Sequence, residues 1–306
     1  MATKFHLGIN LAFAKKRWPQ PREWLWVVNK LGIKYVEFCS DLIDPLMLSK
    51  ENAAEVVRKT CKETKEDDVI IYDYYTGVIS HSLNLLGDAR PGIRADGQRW
   101  CEEAIKLAKK LGARAVGGHF GHIGYRNLVR PRERKFIVQC IFKSMQYLSE
   151  VAKKEGLEFL MLEQMYSPSE SPYTLEEAEE YYTKLNEHSA VPIYLTLDVG
   201  HACAVNYPHS EQDLDPYEWL RRFAKVSPVI HLQQTNGKES KHWPFTKIYN
   251  QIGIIRPDEV ISAIEASGSK ENYLMLEIFH PLATNEKQII KDLQETVDYW
   301  RKYIAD

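Results

Sequence analysis

With 306 residues, 40 basic and 42 acidic side chains and a formal charge of −2, the chain can bury a substantial core but carries no sequence-wide electrostatic footprint for nucleic acid or an anionic membrane. Its five cysteines (Cys39, Cys61, Cys101, Cys140, Cys203) are widely spaced and form no CxxC pair, which argues against a disulfide framework or a cysteine zinc knuckle. No run of about 18 apolar residues and no basic leader with an apolar run occurs, so the expectation is a cytoplasmic protein of a reducing compartment, neither membrane-bound nor nucleic-acid-binding.

Short apolar runs rich in β-branched and aromatic residues recur along the chain and read as strands. The first, FHLGIN from Phe5, leads into a basic loop with Lys15, Lys16 and Arg17 and then a helical stretch, REWLWVV, whose Trp24 and Trp26 read as packing residues. YVEFC from Tyr35 and VIIYDYYT from Val69 follow, the latter continuing into TGVISHSLNL. RAVGGHFG from Arg114 comes after the amphipathic segment DGQRWCEEAIKLAKKLG, and EFLMLEQM from Glu158 after RERKFIVQCIFKSMQYLSEVAKKEG. PIYLTLD from Pro192 is preceded by TLEEAEEYYTKLNEH, in which Thr174 and Glu177 read as a capping box. PVIHLQQT from Pro228 and YLMLEIFH from Tyr273 complete the set. Gly32, Gly112 and Gly156 suit left-handed helix ends ahead of the next strand.

Eight strands alternating with helices, at roughly 38 residues per unit, predict an α/β protein with a (β/α)8 TIM-barrel fold, a single domain spanning residues 1–306. A doubly wound sheet is disfavoured because no GxGxxG or GxxxxGK[ST] follows any strand. The loops PSESPY and NYPHSEQDLDPY read as insertions after strands five and six.

In such a barrel the reacting side chains gather at the C-terminal ends of the strands. Here strand five ends on Glu163, strand six on Asp198, strand seven carries His231 and strand eight ends on Glu277. Three carboxylates brought together without a cation would oppose one another's ionisation, a conflict that a divalent ion removes. Three oxygen donors and one imidazole suit Mn²⁺ best, with Mg²⁺ or Co²⁺ as alternatives. Gly200 is expected to let the chain bend so that His201 faces the same mouth, to serve a second metal or a substrate oxygen. His81 and Asn84, with His119 and His122, are expected to line that mouth from strands three and four. Lys238, Ser240, Lys241 and His242 follow strand seven, where barrels frequently bind phosphate, and Lys15, Lys16 and Arg17 are a second candidate for that task. His6, His188 and His209 read as structural or surface residues.

The series Glu163, Asp198, His201, His231, Glu277, together with TGVISHSLNL and AVGGHFGHIGY, resembles the xylose-isomerase-like TIM-barrel superfamily and within it the ketose 3-epimerases. HLQQTNGKESKHWPFT resembles the branch acting on erythrulose 1-phosphate. The resemblance implies a metal-dependent sugar epimerase or isomerase that moves the proton at C3 of a ketose or ketose phosphate through an enediolate. Glu163 and Glu277 would then act as base and acid while also holding the metal, and a homo-oligomer is left open.

An unphosphorylated ketose or keto-acid is an alternative substrate. Free-ketose epimerases grip substrate hydroxyls with a glutamate and an arginine where this chain has Ser169 and Gly237, although Glu170 and Lys238 lie one residue away. An AP endonuclease of the endonuclease IV type is a further alternative, since His81, His119, Glu163, Asp198, His201, His231 and Glu277 align with its zinc set. That enzyme needs an Asp-x-His pair after strand seven, which KESKHWPF lacks, and a basic surface.

Overall fold

The computed structural model describes residues 3–204 and 210–304, the side chains of residues 78 and 79 excepted. Its strands are β1 (Lys4–Asn10), β2 (Tyr35–Cys39), β3 (Ile70–Tyr75), β4 (Ala115–Gly117), β5 (Phe159–Glu163), β6 (Ile193–Asp198), β7 (Val229–Leu232) and β8 (Glu271–Leu276). They close in chain order into one barrel, β1 pairing parallel with both β2 and β8. The principal helices outside it are α1 (Pro21–Leu31), α2 (Lys50–Glu66), α3 (Pro91–Leu111), α4 (Pro131–Glu155), α5 (Leu175–Asn186), α6 (Pro216–Phe223), α7 (Pro257–Ala266) and α8 (Glu286–Trp300). The fold is the single-domain (β/α)8 barrel expected from the repeat. No helix among the described residues is long and apolar enough to cross a membrane, and all five cysteines are free thiols.

Strand pleating sorts the side chains. Alternate residues point outward and pack with the helices in one large core that includes Trp24, Leu25, Val36, Leu162, Leu197, Ile230 and Trp300. The others fill the barrel, where Tyr72, Tyr75, Phe159, Met161, Tyr273 and Met275 form a second cluster. On β5 to β8 the inward series run Phe159–Met161–Glu163, Thr196–Asp198, Val229–His231 and Tyr273–Met275–Glu277, so that each strand leaves its interior position nearest the mouth, or next to it, to a polar group.

Three details depart from the sequence reading. Strand four is only Ala115–Gly117, because Gly118 turns the chain at φ 129°, a conformation L side chains rarely adopt. Helix α3 begins at Pro91, five residues before the amphipathic run at Asp96, with proline pre-set for the first helical turn. Thr174 caps α5 by accepting from the Glu177 N–H, but Glu177 does not close the box. Its carboxylate pairs with Arg134 and accepts from the Tyr173 N–H instead. Gly32, Gly112 and Gly156 do end their helices in the left-handed region, at φ 66°, 81° and 79°. Trp24 is buried, whereas Trp26 is 53% exposed with Lys30 over its ring, so only the first is a core residue.

Candidate metal centre and active site

At the C-terminal end of the barrel, ligand atoms of Glu163, Asp198, His231 and Glu277 all lie within 4.8 Å of one another, and all four residues are buried. His231 Nδ1 stands 3.1 Å from Glu163 Oε1, 3.2 Å from Glu277 Oε2 and 4.0 Å from Asp198 Oδ2. Burial alone would lower the His231 pKa, but Glu37 and Glu277, with hydrogen bonds to Glu163 and Glu277, raise it well above its ordinary value. The same contacts act in reverse on Glu277: burial opposes its ionisation, yet His231 and His242 hold its carboxyl below the usual carboxylate range.

Asp198 is fixed before any ligand arrives. Its Oδ1 accepts from the Gly200 N–H at 2.7 Å, the His201 N–H at 2.9 Å and Gln233 Nε2 at 2.8 Å, while Oδ2, which Gln233 Nε2 also reaches at 3.0 Å, faces the cluster. Gly200 has φ −83° and needs no glycine-only conformation. It is glycine for want of space, since a Cβ there would lie 2.2 Å from Gln233 Cδ. The expected bend is therefore a close approach of the turn to the Gln233 amide. His201 begins a one-turn 3-10 helix, and its Nδ1 sits 3.0 Å from the Gln164 carbonyl oxygen. Hydrogen bonding from Nδ1 to that carbonyl turns Nε2 toward Asp198 Oδ2, 3.9 Å away.

Sequence reasoning missed the layer beneath. Glu37 of β2 is fully buried, 3.0 Å from His231 Nε2, and it also accepts from Asn10 Nδ2. A carboxylate on the far ring nitrogen orients the imidazole so that Nδ1 faces the cluster. Beside it Asp73 of β3 is buried, and burial, followed by the Glu37 charge, pushes its pKa well above normal. The barrel turns Asp73 inward because Glu37 pairs with Asp73 while Val36 pairs with Ile71, leaving Tyr72 as an extra residue at a bulge. An acidic residue inside an otherwise apolar strand, as in YVEFC and VIIYDYY, is the signal that could have found both.

A cavity of about 240 Å³ opens above the cluster, bounded by Glu163, Glu277, His81, His201, Ser240, His242, Lys15 and Asp41 among others. Of the residues predicted to touch substrate, His81, His201, Ser240 and His242 border it, and of the second phosphate candidate Lys15 does while Lys16 and Arg17 do not. Lys238 is exposed on its loop, and Lys241 pairs with Glu239 at 2.5 Å; neither borders the cavity. His119 is buried behind the wall, its ring centroid 5.4 Å from that of His81 and both ring nitrogens unpartnered among the described residues. Burial lowers its pKa to about 3. His81 Nε2 pairs with Glu170 at 3.0 Å, and His122 approaches the same carboxylate at 3.5 Å. His242 adopts φ 49°, and its N–H donates to Gln233 Oε1 at 2.6 Å. Its ring stacks on Phe279 at 4.2 Å, and it forms a second donor group with Asp198 and His201. Asn84 turns to Asp88, and His209 lies outside the described residues. A larger groove of about 790 Å³ runs along α8 and shares no residue with this cavity.

The four-residue cluster fits a divalent cation. Ligand atoms about 2.0–2.6 Å from a common centre lie within about 5 Å of one another, as these do. The donor set is oxygen-rich, and two of its members, Asp198 and His231, are already oriented by Gln233 and Glu37.

Residues 26–303 match the family described as xylose isomerase-like TIM barrel. A D-erythrulose 1-phosphate 3-epimerase of Brucella abortus (strain 2308) is 27% identical over 301 residues, covering 97% of this chain and 96% of the relative. Among solved structures, one from Rhodospirillum rubrum, provisionally described as a xylose isomerase, superposes with a TM-score of 0.90 at 24% identity, covering 99% of this chain and all of the other. D-psicose 3-epimerase from Clostridium cellulolyticum H10 superposes with a TM-score of 0.72 at 15% identity, covering 98% of this chain and 99% of that one.

Proposed function

The chain belongs to the xylose isomerase-like TIM-barrel family, and we propose that it is a divalent-metal-dependent epimerase acting at C3 of a ketose or ketose phosphate of the erythrulose 1-phosphate type. The observation that carries this reading is the convergence of Glu163, Asp198, His231 and Glu277 beneath a cavity of about 240 Å³. The similarity to an erythrulose phosphate epimerase over nearly the whole of both chains supports the substrate class.

In this reading Glu163, Asp198 through Oδ2, His231 through Nδ1 and Glu277 hold the ion, Mn²⁺ by preference and Mg²⁺ or Co²⁺ otherwise. The ion supplies positive charge against the oxygen charge that develops as C3 loses its proton. Glu163 and Glu277 come from β5 and from the end of β8 and so reach the substrate from two directions. One takes the C3 proton to give the enediolate, and the other, protonated, returns a proton to the opposite face. His201 and His242 border the same cavity and orient substrate oxygens through their ring nitrogens.

The test incubates the Mn²⁺-loaded protein in D₂O with erythrulose 1-phosphate and with free tetruloses and hexuloses, following C3 deuteration by NMR. Exchange at C3 with inversion is expected, and absence of exchange with every ketose removes the reading.

A further inference from the structure

We infer that Lys15 is the residue that recognises the phosphate of a ketose phosphate, in place of the lysines after β7. This inference rests on the epimerase reading and narrows its substrate class.

Among the described residues Lys15 is the one lysine or arginine bordering the cavity that also holds Glu163, Glu277, His201 and His242. Its position is built. Asn10, whose Nδ2 donates to Glu37, accepts the Ala12 N–H on its Oδ1 at 2.7 Å and so caps the turn Leu11–Ala14 that delivers Lys15. Immediately after it the backbone reverses through Lys16 at φ 62°. Arg17 then latches the loop by donating to the carbonyl oxygens of Thr284, Pro281 and Leu282 at 2.7, 2.8 and 3.0 Å. Those bonds occupy the Arg17 guanidinium, and Lys16 is exposed and does not border the cavity, so neither of the other two cations of this loop is placed to compete for an anion there.

The Lys15 ammonium sits 4.8 Å from the centroid of Phe279, the ring on which His242 stacks, and donates to Asp41 Oδ2 at 3.1 Å. An ammonium has three donors, and the two beyond Asp41 have no acceptor among the described residues. Asp41 balances the Lys15 charge, and the two remaining N–H groups are available to the oxygens of a dianionic phosphate beside the Phe279 ring. A divalent ion on three carboxylates brings no surplus positive charge of its own, and among the lysines and arginines of the described residues Lys15 is the one that borders the cavity a phosphate would enter.

The experiment compares the Mn²⁺-loaded wild type with K15M, K15R and K238M. Calorimetric titration with sn-glycerol 3-phosphate, a phosphate ester that cannot enolise, reads binding without turnover, and C3 exchange of erythrulose 1-phosphate against free erythrulose reads specificity. Expected are at least about tenfold weaker glycerol phosphate binding in K15M, a matching loss in the ratio of kcat/KM for phosphorylated over free ketose carried by KM, and recovery of part of both in K15R. Equal glycerol phosphate affinity in wild type and K15M, or loss of the preference in K238M instead, overturns the role of Lys15. A wild type that exchanges free and phosphorylated ketoses equally overturns it too and leaves the epimerase reading standing. Exchange with no ketose at all removes both.

Discussion

Glu277 shows how much one side chain is asked to do. It borders the cavity, faces His231 Nδ1 at 3.2 Å and approaches His242 at 3.4 Å, so it can hold a cation on one side and meet a substrate carbon on the other. Glu277→Gln keeps the shape but loses the basic oxygen, and C3 deuteration should slow by about 10²–10⁴-fold. Full exchange in this variant would sink the two-carboxylate mechanism. Glu37 acts through His231 and is a positioning residue. Glu37→Gln should weaken Mn²⁺ binding by about 10–100-fold in a chelator competition titration, with the circular dichroism spectrum retained. His119 gives a prediction in pH. Its folded pKa of about 3 lies below the value near 6.5 expected in the unfolded chain. As pH falls through 6.5 the unfolded state takes up a proton that the folded state refuses, so stability is lost progressively down to about pH 3. Urea titrations of H119Q between pH 6 and 4 should show a slope shallower than wild type by up to about 1.4 kcal/mol per pH unit. Equal slopes would show that His119 is protonated in the folded protein.

Among the elements, β4 and the turn after it link backbone geometry to the site. Gly118 holds φ 129°, its carbonyl accepts the Glu163 N–H at 3.0 Å, and a Cβ there would fall 1.9 Å from Thr76 Oγ1. Gly118→Ala should therefore destabilise the protein by about 1–3 kcal/mol in urea and disturb the end of β5 at Glu163, which metal titration would register. Unchanged stability and metal affinity would mean that the turn relaxes freely. The eight strands were readable because each is a short apolar run between helix-forming segments, a signal that needs no long-range contact. The bulge at Tyr72 and the diversion of Glu177 to Arg134 were not. Each depends on a partner 40 or so residues away, which local pattern does not contain.

At the scale of the molecule, closing the barrel forces four carboxylate or imidazole groups from four strands into one buried cluster, and a bound cation should stabilise the folded state that assembles it. With free Mn²⁺ at about 100 times its Kd the gain is about 2.7 kcal/mol, which for a chain of this length corresponds to a rise in Tm of roughly 4 °C over the chelated protein. An unchanged Tm at saturating Mn²⁺ would mean that the cluster holds no ion.

The sequence by itself determined the βα repeat and the inward position of Glu163, Asp198, His231 and Glu277, because a pleat of period two and a strand end are local properties. Tertiary structure decided what surrounds them. Only barrel closure brings Glu37 and Asn10 of β2 and β1 beneath His231 of β7, and only the turn at Lys16 with the Arg17 latch carries Lys15 into the cavity while Lys238 and Lys241 stay outside it. The physical reason is the same in each case: a side chain's charge and type are written in the chain, but the charges it must balance come from elements far away along it.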